Sequence, residues 1–279
     1  MQEPINKEEI NTKLEELKSY LRKLERVAVA FSSGVDSTFL LKVAHQVLGN
    51  NIIAITATSP LFPVYETENA KAFCKKEGIS LVLVESDELR MKEFCSNPTN
   101  RCYICKHKLF SSFIKIAKEH NIEHLLEGSN IDDTKDYRPG LLAISELNVK
   151  SPLLYCKLTK SQIRYLSKEL GLPTYNKQSS ACLASRIPYG QLITEKKLSM
   201  IQKAESFLSN FNLGQLRVRL HDESLARIEV KSDKVPIIIN YSQQIQEEFR
   251  SYGFNYITLD LQGYRTGSMN EVIKDEQLH

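Results

Sequence analysis

A run of small and polar residues follows the first apolar segment of the chain, and its composition suits an anion-binding turn. The run reads Phe31-Ser32-Ser33-Gly34-Val35-Asp36-Ser37-Thr38 and precedes a segment with helical periodicity. The start of a helix favours phosphate, because its first amides lack partners and the helix dipole is positive there. A tight turn in which Asp36 or Ser37 merely caps the helix is the alternative, and the residues alone leave both open. The run lacks the lysine of the G-x-x-x-x-G-K-[ST] phosphate loop, so it is not that motif.

Cys182 could supply a second kind of chemistry, because a thiolate is a nucleophile and a nearby cation helps it to form. Arg186 follows four residues later and would face Cys182 if this segment is helical. A lone cysteine is more often an inert packed residue, so the residues alone favour packing.

Two arginines form a third candidate. Arg217 and Arg219 stand two apart in a segment with strand alternation, so both guanidiniums lie on one face and could bind an anion together. The alternative is that they form the solvated face of a half-buried strand. Both interpretations stay open.

The remaining cysteines give weaker signals. Cys102-x-x-Cys105, with Cys95 nearby, could be half of a zinc site or a redox pair. A closed zinc site needs four ligands, and the sequence has no second C-x-x-C. We therefore expect structural roles for Cys102 and Cys105.

The elements that must position these residues are short apolar runs alternating with helical segments. The runs have the character of strands buried on both faces, and they cover residues 27–31, 52–57, 79–84, 125–126 and 149–154. Helical spacing covers residues 10–24, 36–48, 66–78, 106–120 and 141–147. The sequence therefore predicts an α/β protein with a doubly wound, parallel, five-stranded sheet.

The pattern changes after residue 172, so we predict two domains, 1–172 and 173–279. Residues 173–193 have no sustained period and indicate a linker or a functional loop. A helix over 195–211, strands over 215–221 and 225–231, a helix over 235–252 and a strand over 256–261 follow. This order predicts a smaller α+β domain that contains an antiparallel pair.

The composition is that of a globular protein, with 279 residues, 42% hydrophobic and 25% charged residues. A net charge of +3 is too mild for a dedicated nucleic-acid binder. No apolar run reaches the roughly 20 residues that span a bilayer, and residues 1–10 lack the apolar core of a signal peptide. We expect a cytoplasmic protein with reduced thiols and neither nucleic-acid nor membrane partners.

Three segments at predicted strand ends carry a resemblance. Ser32-Ser33-Gly34-Val35-Asp36-Ser37 resembles the S-G-G-x-D-S loop of the PP-loop ATP pyrophosphatase superfamily, whose fold is of the adenine nucleotide alpha hydrolase type, with Ser33 where the family usually has glycine. The segment 55–59 with Thr56 and Ala57, and the segment 127–133 with Gly128, Asn130 and Asp133, stand where such enzymes hold the nucleotide. The resemblance implies ATP cleavage between the α and β phosphates, with the residues from Phe31 to Thr38 around the phosphates.

Further motifs over nearly the whole chain narrow the resemblance. Residues 100–106, 181–190 and 263–270, which read NRCYICK, ACLASRIPYG and GYRTGSMN, resemble the LarE family of ATP-dependent sacrificial sulfur transferases. Such an enzyme adenylates a carboxylate of pyridinium-3,5-biscarboxylic acid mononucleotide. It then installs sulfur there, on the way to the nickel-pincer cofactor of lactate racemase.

This resemblance implies roles for single residues. Cys182 would attack the acyl adenylate and donate its sulfur, leaving dehydroalanine, and Glu205 would be a candidate base for the elimination. Ser185, Arg217, Arg219 and Arg265 would bind the anionic substrate. Magnesium is implied by the departing pyrophosphate, with Asp36 as its partner. The family also implies a homo-oligomer.

Two other functions stay open at this point. A tRNA thiolation enzyme of the same superfamily would need an RNA-binding surface, against which the weak charge counts. A sensor that holds ATP without reacting would leave the C-terminal arginines and Cys182 without a role.

Overall fold

The computed structural model describes residues 6–135, 139–178 and 181–271, without the side chain of Lys135. These residues form two compact units. The first contains residues 6–59, 64–86 and the described part of 102–178, and the second contains residues 60–63, 87–101 and 181–271. The domain boundary after residue 172 stays a prediction.

The first unit alternates strands and helices. Its strands are β1 (Val27–Ala30), β2 (Ile52–Thr58), β3 (Ser80–Glu85) and β4 (His124–Leu126). Its helices are α1 (Lys7–Arg22), α2 (Val35–Leu48), α3 (Val64–Glu77), α5 (Arg101–Glu119, whose first residue belongs to the second unit), α6 (Pro139–Glu146), α7 (Pro152–Tyr155) and α8 (Lys160–Glu169). Among the described residues, four parallel strands make one sheet in the order β3-β2-β1-β4, with Val27 paired to Ile52 and to His124.

Helices cover both faces of this sheet, which confirms the predicted doubly wound α/β fold. Val27 and Val29 of β1 belong to the core that α1, α2 and α8 close on one face. Ala28, between them, belongs to the core on the other face, with Phe110 and Phe113 of α5. Alternate residues of a strand point to opposite faces, so the continuous apolar run of β1 fills both cores.

The predicted fifth strand over residues 149–154 is wrong. A single parallel bridge pairs Leu126 with Lys150, and the chain then enters α7 at Pro152. Proline lacks the N–H that a sheet ladder needs, and its fixed φ suits the first turn of a helix.

Helix α8 is the longest element that the sequence interpretation missed. It begins with a capping box, in which Thr159 accepts a hydrogen bond from the backbone of Gln162 and the Gln162 side chain accepts one from the backbone of Thr159. The pattern T-x-x-Q ahead of the apolar Ile163 and Leu166 was the available signal.

The second unit is an α+β fold, as predicted. Its helices are α4 (Lys92–Cys95), α9 (Glu195–Ser209), α10 (Val235–Asn240) and α11 (Ser242–Tyr252), and its strands are β5 (Leu216–His221), β6 (Leu225–Val230) and β7 (Tyr256–Leu259). Strand β6 lies between β5 and β7, antiparallel to β5 and parallel to β7. The single helix predicted over 235–252 is two helices, because the chain breaks at Tyr241. No helix among the described residues is both long and apolar enough to span a membrane.

Candidate active site

The turn between β1 and α2 has the geometry of an anion-binding loop. Gly34 is the N-cap of α2, so the alternative in which Asp36 or Ser37 is the capping residue is wrong. Ser37 Oγ donates to the Gly34 carbonyl oxygen at 3.4 Å. The hydroxyls of Ser32 and Ser37 lie 3.1 Å apart beside the first turn. Val35 begins the helix, and Thr38 lies buried in it, where its Oγ1 has no hydrogen-bond partner among the described residues.

Asp36 is held by residues from two later segments. Its carboxylate forms an ion pair with Lys160 at the start of α8, and Asn130 Nδ2 lies 3.4 Å from its Oδ1. A hydrogen bond within the segment after β4 fixes its turn, because the Asn130 backbone amide donates to Asp133 Oδ2 at 2.9 Å. Lys160 was absent from the predicted site, since the helix that presents it was not predicted.

Gly128 brings the end of β4 against the loop. A Cβ at this position would lie 3.1 Å from the Ser37 amide nitrogen and 3.3 Å from the Asp36 carbonyl carbon. A side chain here would push the backbone of the loop by a few tenths of an ångström, so glycine favours this close approach. The strand ends that the sequence pointed to do meet at the loop.

Thr56 and Ala57 stand at the end of β2, beside Phe31. The Thr56 hydroxyl donates to the Phe31 carbonyl oxygen at 2.7 Å, so it fixes the neighbouring strand ends to each other. Ala57 continues β2 and is half-buried. These two residues lie at the carboxyl end of β2, beside the end of β1 from which the loop starts.

In the second unit, Cys182 immediately precedes a one-turn 3-10 helix, Leu183–Arg186, and is half-buried. The Arg186 side chain is only 2% exposed, and its Nη1 donates to the carbonyl oxygens of Ala181 at 2.7 Å and Cys182 at 3.1 Å. The guanidinium thus fixes the backbone that carries the thiol.

Glu205 of α9 is the partner of that arginine. Its two carboxylate oxygens each accept a hydrogen bond from Arg186 at 2.9 Å, and Oε1 also accepts one from the Val218 amide of β5. A single carboxylate therefore joins the 3-10 turn, α9 and β5.

Arg217 and Arg219 are buried, with exposures of 7% and 5%, so their interpretation as a solvated strand face is wrong. Arg219 donates twice to Glu229 Oε2, at 2.8 and 3.0 Å, and once to the Ser185 carbonyl oxygen at 3.1 Å. Arg217 lies 5.4 Å from the ring centre of Tyr264. Burial, followed by repulsion from Arg186, lowers the pKa of Arg217.

Glu229 was not predicted, although a signal existed. It lies opposite Arg217 on the antiparallel strand β6, and it is fully buried. Ser268 Oγ, 2.9 Å from Glu229 Oε1 and 3.0 Å from Arg219, ties the last motif to the same pair. The alternation Arg227-x-Glu229 in a strand facing Arg217-x-Arg219 indicated complementary charges across the hairpin.

Within this unit, Arg101 of the first signature motif contacts the second motif, and the second contacts the third; residues 102–106 of the first motif belong to the first unit. Asn97 Nδ2 donates to the carbonyl oxygens of Ile187 and Pro188, at 3.2 and 2.7 Å. The Arg101 guanidinium lies 4.2 Å from the ring centre of Tyr189, whose hydroxyl is 3.1 Å from Asn270.

Arg265 and Ser185 occupy different surroundings. Arg265 is part-exposed and pairs with the exposed Glu271 at 2.9 Å and with the part-buried Asp260 at 3.6 Å. Ser185 Oγ is 2.9 Å from Arg186 Nη1. Of the four predicted substrate-binding residues, Arg217 and Arg219 are buried, and Ser185 contacts the buried Arg186 and Arg219.

The cysteines differ in their surroundings. Burial raises the pKa of the Cys74 thiol to about 12 and that of Cys156 to about 11, whereas Cys102 is exposed near the start of α5. No group of three or more His, Cys, Asp or Glu side chains suited to a metal ion occurs among residues 6–135, 139–178 and 181–271.

Comparison with known proteins gives full-length relatives, whereas no protein-family model matches the chain. An uncharacterised protein of Synechocystis is 39% identical over 95% of this chain and 99% of its own length. Pyridinium-3,5-bisthiocarboxylic acid mononucleotide synthase of Lactiplantibacillus plantarum is 35% identical over 96% of this chain and 97% of its own. A component of the glutamine-hydrolysing GMP synthase of Archaeoglobus fulgidus is 22% identical over 66% of this chain and 64% of its own.

The chain belongs to the PP-loop class of α/β proteins. This follows from the parallel sheet, the serine-rich loop after β1 and these relatives. Similarity to the synthase extends through the C-terminal unit. The chain belongs to the family of pyridinium-3,5-bisthiocarboxylic acid mononucleotide synthase, the LarE family.

Proposed function

We propose that this chain is an ATP-dependent sulfur transferase. It adenylates a carboxylate of pyridinium-3,5-biscarboxylic acid mononucleotide and replaces the activated oxygen with sulfur from its own Cys182, in nickel-pincer cofactor biosynthesis. The observation that carries this proposal is the 35% identity over 97% of the length of a synthase whose name states the bisthiocarboxylic product. The motif around Cys182 would supply the sulfur nucleophile, and the loop before α2 would supply the phosphate-binding site.

The turn from Phe31 to Thr38 would hold the phosphates of ATP. The amides at the start of α2 and the hydroxyls of Ser32 and Ser37 are donors suited to phosphate oxygens. The Thr38 hydroxyl has no hydrogen-bond partner among the described residues, and Gly128 packs closely against the backbone of Asp36 and Ser37. Both features suit a loop that surrounds a phosphate group. Asp36 would hold Mg²⁺ after its carboxylate has left Lys160, with which it forms an ion pair here. When bound, the ion would neutralise the charge of departing pyrophosphate.

The buried arginines would bind the anionic groups of the substrate. Burial, followed by the positive charge of Arg186, lowers the pKa of Arg217, so an anion added beside Arg217 would be stabilised. Arg265 would join them only after leaving Glu271, since it pairs with that residue here. We therefore rank Arg217 first among the substrate-binding residues.

Sulfur transfer would proceed in two steps at Cys182. The thiolate attacks the acyl adenylate, a C–S bond forms and the bond to AMP breaks, which leaves a thioester. Loss of the Cα proton and cleavage of the Cβ–S bond then release the thiocarboxylate and leave dehydroalanine. The chain thus loses the elements of hydrogen sulfide, and each molecule acts once.

Glu205 has a positioning task in this proposal, in addition to the role as base that the family resemblance implied. Both of its oxygens accept hydrogen bonds from Arg186, which in turn holds the Cys182 carbonyl oxygen. We assign Glu205 to positioning the Cys182 backbone. Its role as the base stays a prediction, as do the homo-oligomer and the cytoplasmic location.

Intact-mass measurement tests the function. The protein is incubated with ATP, magnesium and the dicarboxylate mononucleotide, and we expect the mass to fall by the elements of hydrogen sulfide at Cys182. A Cys182→Ala variant should release AMP slowly without mass loss, and Cys102→Ala should behave as the unaltered chain. Release of AMP without mass loss in the unaltered chain would favour a tRNA thiolation enzyme, and no AMP would favour an ATP sensor.

A further inference from the structure

One residue of the phosphate loop has an unusual backbone. Ser33 has φ of +50°, in the left-handed region where glycine is favoured, and it stands where related loops usually have glycine. Its side chain is buried. A serine keeps this conformation only when its surroundings hold it, so its contacts are informative.

Glu66 and Lys177 supply those contacts. Ser33 Oγ lies 2.6 Å from Glu66 Oε2 and 3.0 Å from the Glu66 carbonyl oxygen. Lys177 Nζ donates to the Ser33 carbonyl oxygen at 3.0 Å and forms an ion pair with the same Glu66 Oε2. The three residues close a ring of hydrogen bonds around the backbone of the loop.

Lys177 is itself fixed at its backbone. Arg164 of α8 donates to the carbonyl oxygen of Tyr175 at 2.9 Å and to that of Lys177 at 2.7 Å. The ring of Tyr65 lies 5.9 Å from Lys177 Nζ. The backbone that carries the Lys177 ammonium group is thus fixed next to the loop by hydrogen bonds from Arg164.

The charges in this ring matter for an anionic ligand. A carboxylate at Glu66, hydrogen-bonded to Ser33, would repel a triphosphate in the loop. The ammonium of Lys177 shares the same carboxylate oxygen and cancels its charge. Opposite charges in contact present little net field to a third charge nearby.

We propose that Lys177 and Glu66 are positioning residues for the phosphate loop: Glu66 holds Ser33 in its left-handed conformation, and Lys177 removes the charge that this anchor would otherwise place beside ATP. This inference rests on the proposed ATP-binding function. It adds two residues from outside the loop motif, and it explains how serine replaces glycine there.

Calorimetric titration with Mg-ATP, without the carboxylate substrate, tests the proposal. We expect Lys177→Met to raise the Kd for ATP about tenfold, because Glu66 then keeps an uncompensated charge beside the phosphates. The double variant Lys177→Met with Glu66→Gln should return the Kd to within about threefold of the unaltered chain. Glu66→Gln alone keeps an acceptor for Ser33 and should bind ATP as tightly or more tightly.

Lys42→Met is the matched control. Lys42 pairs with Glu77 at side-chain exposures of 20% and 15%, close to the 20% and 11% of Lys177 and Glu66, but it lies two turns along α2 from the loop. We expect thermal stability to fall similarly in both lysine variants and the Kd to change only in Lys177→Met.

The outcomes separate the two proposals. An unaltered chain that binds no ATP would overturn the proposed function and this inference together. If the unaltered chain binds ATP, an equal Kd in Lys177→Met and Lys42→Met would overturn the inference alone, and so would a double variant as weak as Lys177→Met. If Lys177→Met does not fold, weaker binding by Glu66→Gln would overturn it.

Discussion

Single residues of the same type have very different surroundings in this chain, and the cysteines are the clearest case. Cys74 and Cys156 are buried in the core against the sheet, Cys102 is exposed, and Cys182 is half-buried beside a short turn. Burial in apolar surroundings disfavours the thiolate. Reactivity is therefore decided by position and not by the number of cysteines.

Alkylation of the native protein should follow this order. We expect iodoacetamide at neutral pH to modify Cys102 readily and to leave Cys74 and Cys156 unmodified, because the pKa values of those two thiols are about 12 and 11 and their sulfurs are shielded. Peptide mass spectrometry measures the modified fractions, with urea-unfolded protein as the control in which all six react. Native labelling of Cys74 at the rate of Cys102 would contradict the burial described above.

At the scale of elements, a buried ion pair joins the turn after Cys182 to α9 and β5. Arg186 and Glu205 form two hydrogen bonds to each other, and they also bind backbone groups of Ala181, Cys182 and Val218. Removing one partner of a buried pair leaves the other charge without compensation. The pair therefore determines where the backbone of Cys182, the proposed sulfur donor, lies.

Arg186→Met should lower the free energy of unfolding by about 3 kcal/mol. Urea unfolding followed by circular dichroism gives this value. Lys71→Met is the control, since it removes an exposed pair with Glu68 and should leave the unfolding midpoint unchanged within error. Equal effects of the two substitutions would show that Arg186 does not carry a buried pair.

His221 at the end of β5 should make stability depend on pH. Burial, followed by the charge of Arg227, lowers the pKa of His221, and its Nε2 has no hydrogen-bond partner among the residues described. Unfolding restores the ordinary value near 6.5, so the unfolded chain binds more protons below that pH and the stability contributed by neutral His221 is lost as pH falls.

The measurement is the unfolding midpoint in urea between about pH 7.5 and about pH 5.5, on either side of the ordinary histidine pKa. The unaltered chain should lose more stability over this range than His221→Gln, which has no titrating group at this position. Identical pH profiles for the two proteins would rule out His221 as the source.

For the whole molecule, the first unit contains the proposed nucleotide loop and should be stabilised by its ligand. Binding to the folded state alone adds about 2.7 kcal/mol at a ligand concentration about one hundred times the Kd. Mg-ATP should therefore raise the unfolding midpoint. It should also slow amide hydrogen exchange in residues 32–38, which form the loop, and in residues 127–133, which lie against it. Cys182→Ala should retain both effects, because Cys182 lies in the second unit. Unchanged exchange in these segments would contradict the proposed ATP site.

Much of the fold and one part of the site followed from the sequence. Strand and helix alternation, the loop before α2 and the small α+β unit are local patterns, since a period of two or 3.6 and a glycine at a strand end are properties of neighbouring residues. The fifth strand and α8 were misjudged because Pro152 and the Thr159 capping box acted against the weak apolar pattern. The sulfur-donor assignment came from a linear motif.

Tertiary structure decided which charges pair and which are buried, although the hairpin pattern indicated complementary charges on β5 and β6. Arg219 with Glu229, Arg186 with Glu205, and Ser33 with Glu66 and Lys177 join residues that are 10 to 144 positions apart. An alternating strand has the same sequence pattern whether its arginines face water or a buried carboxylate. The free energy of a charge depends on its solvation and its partners, and both are fixed only when distant segments come together.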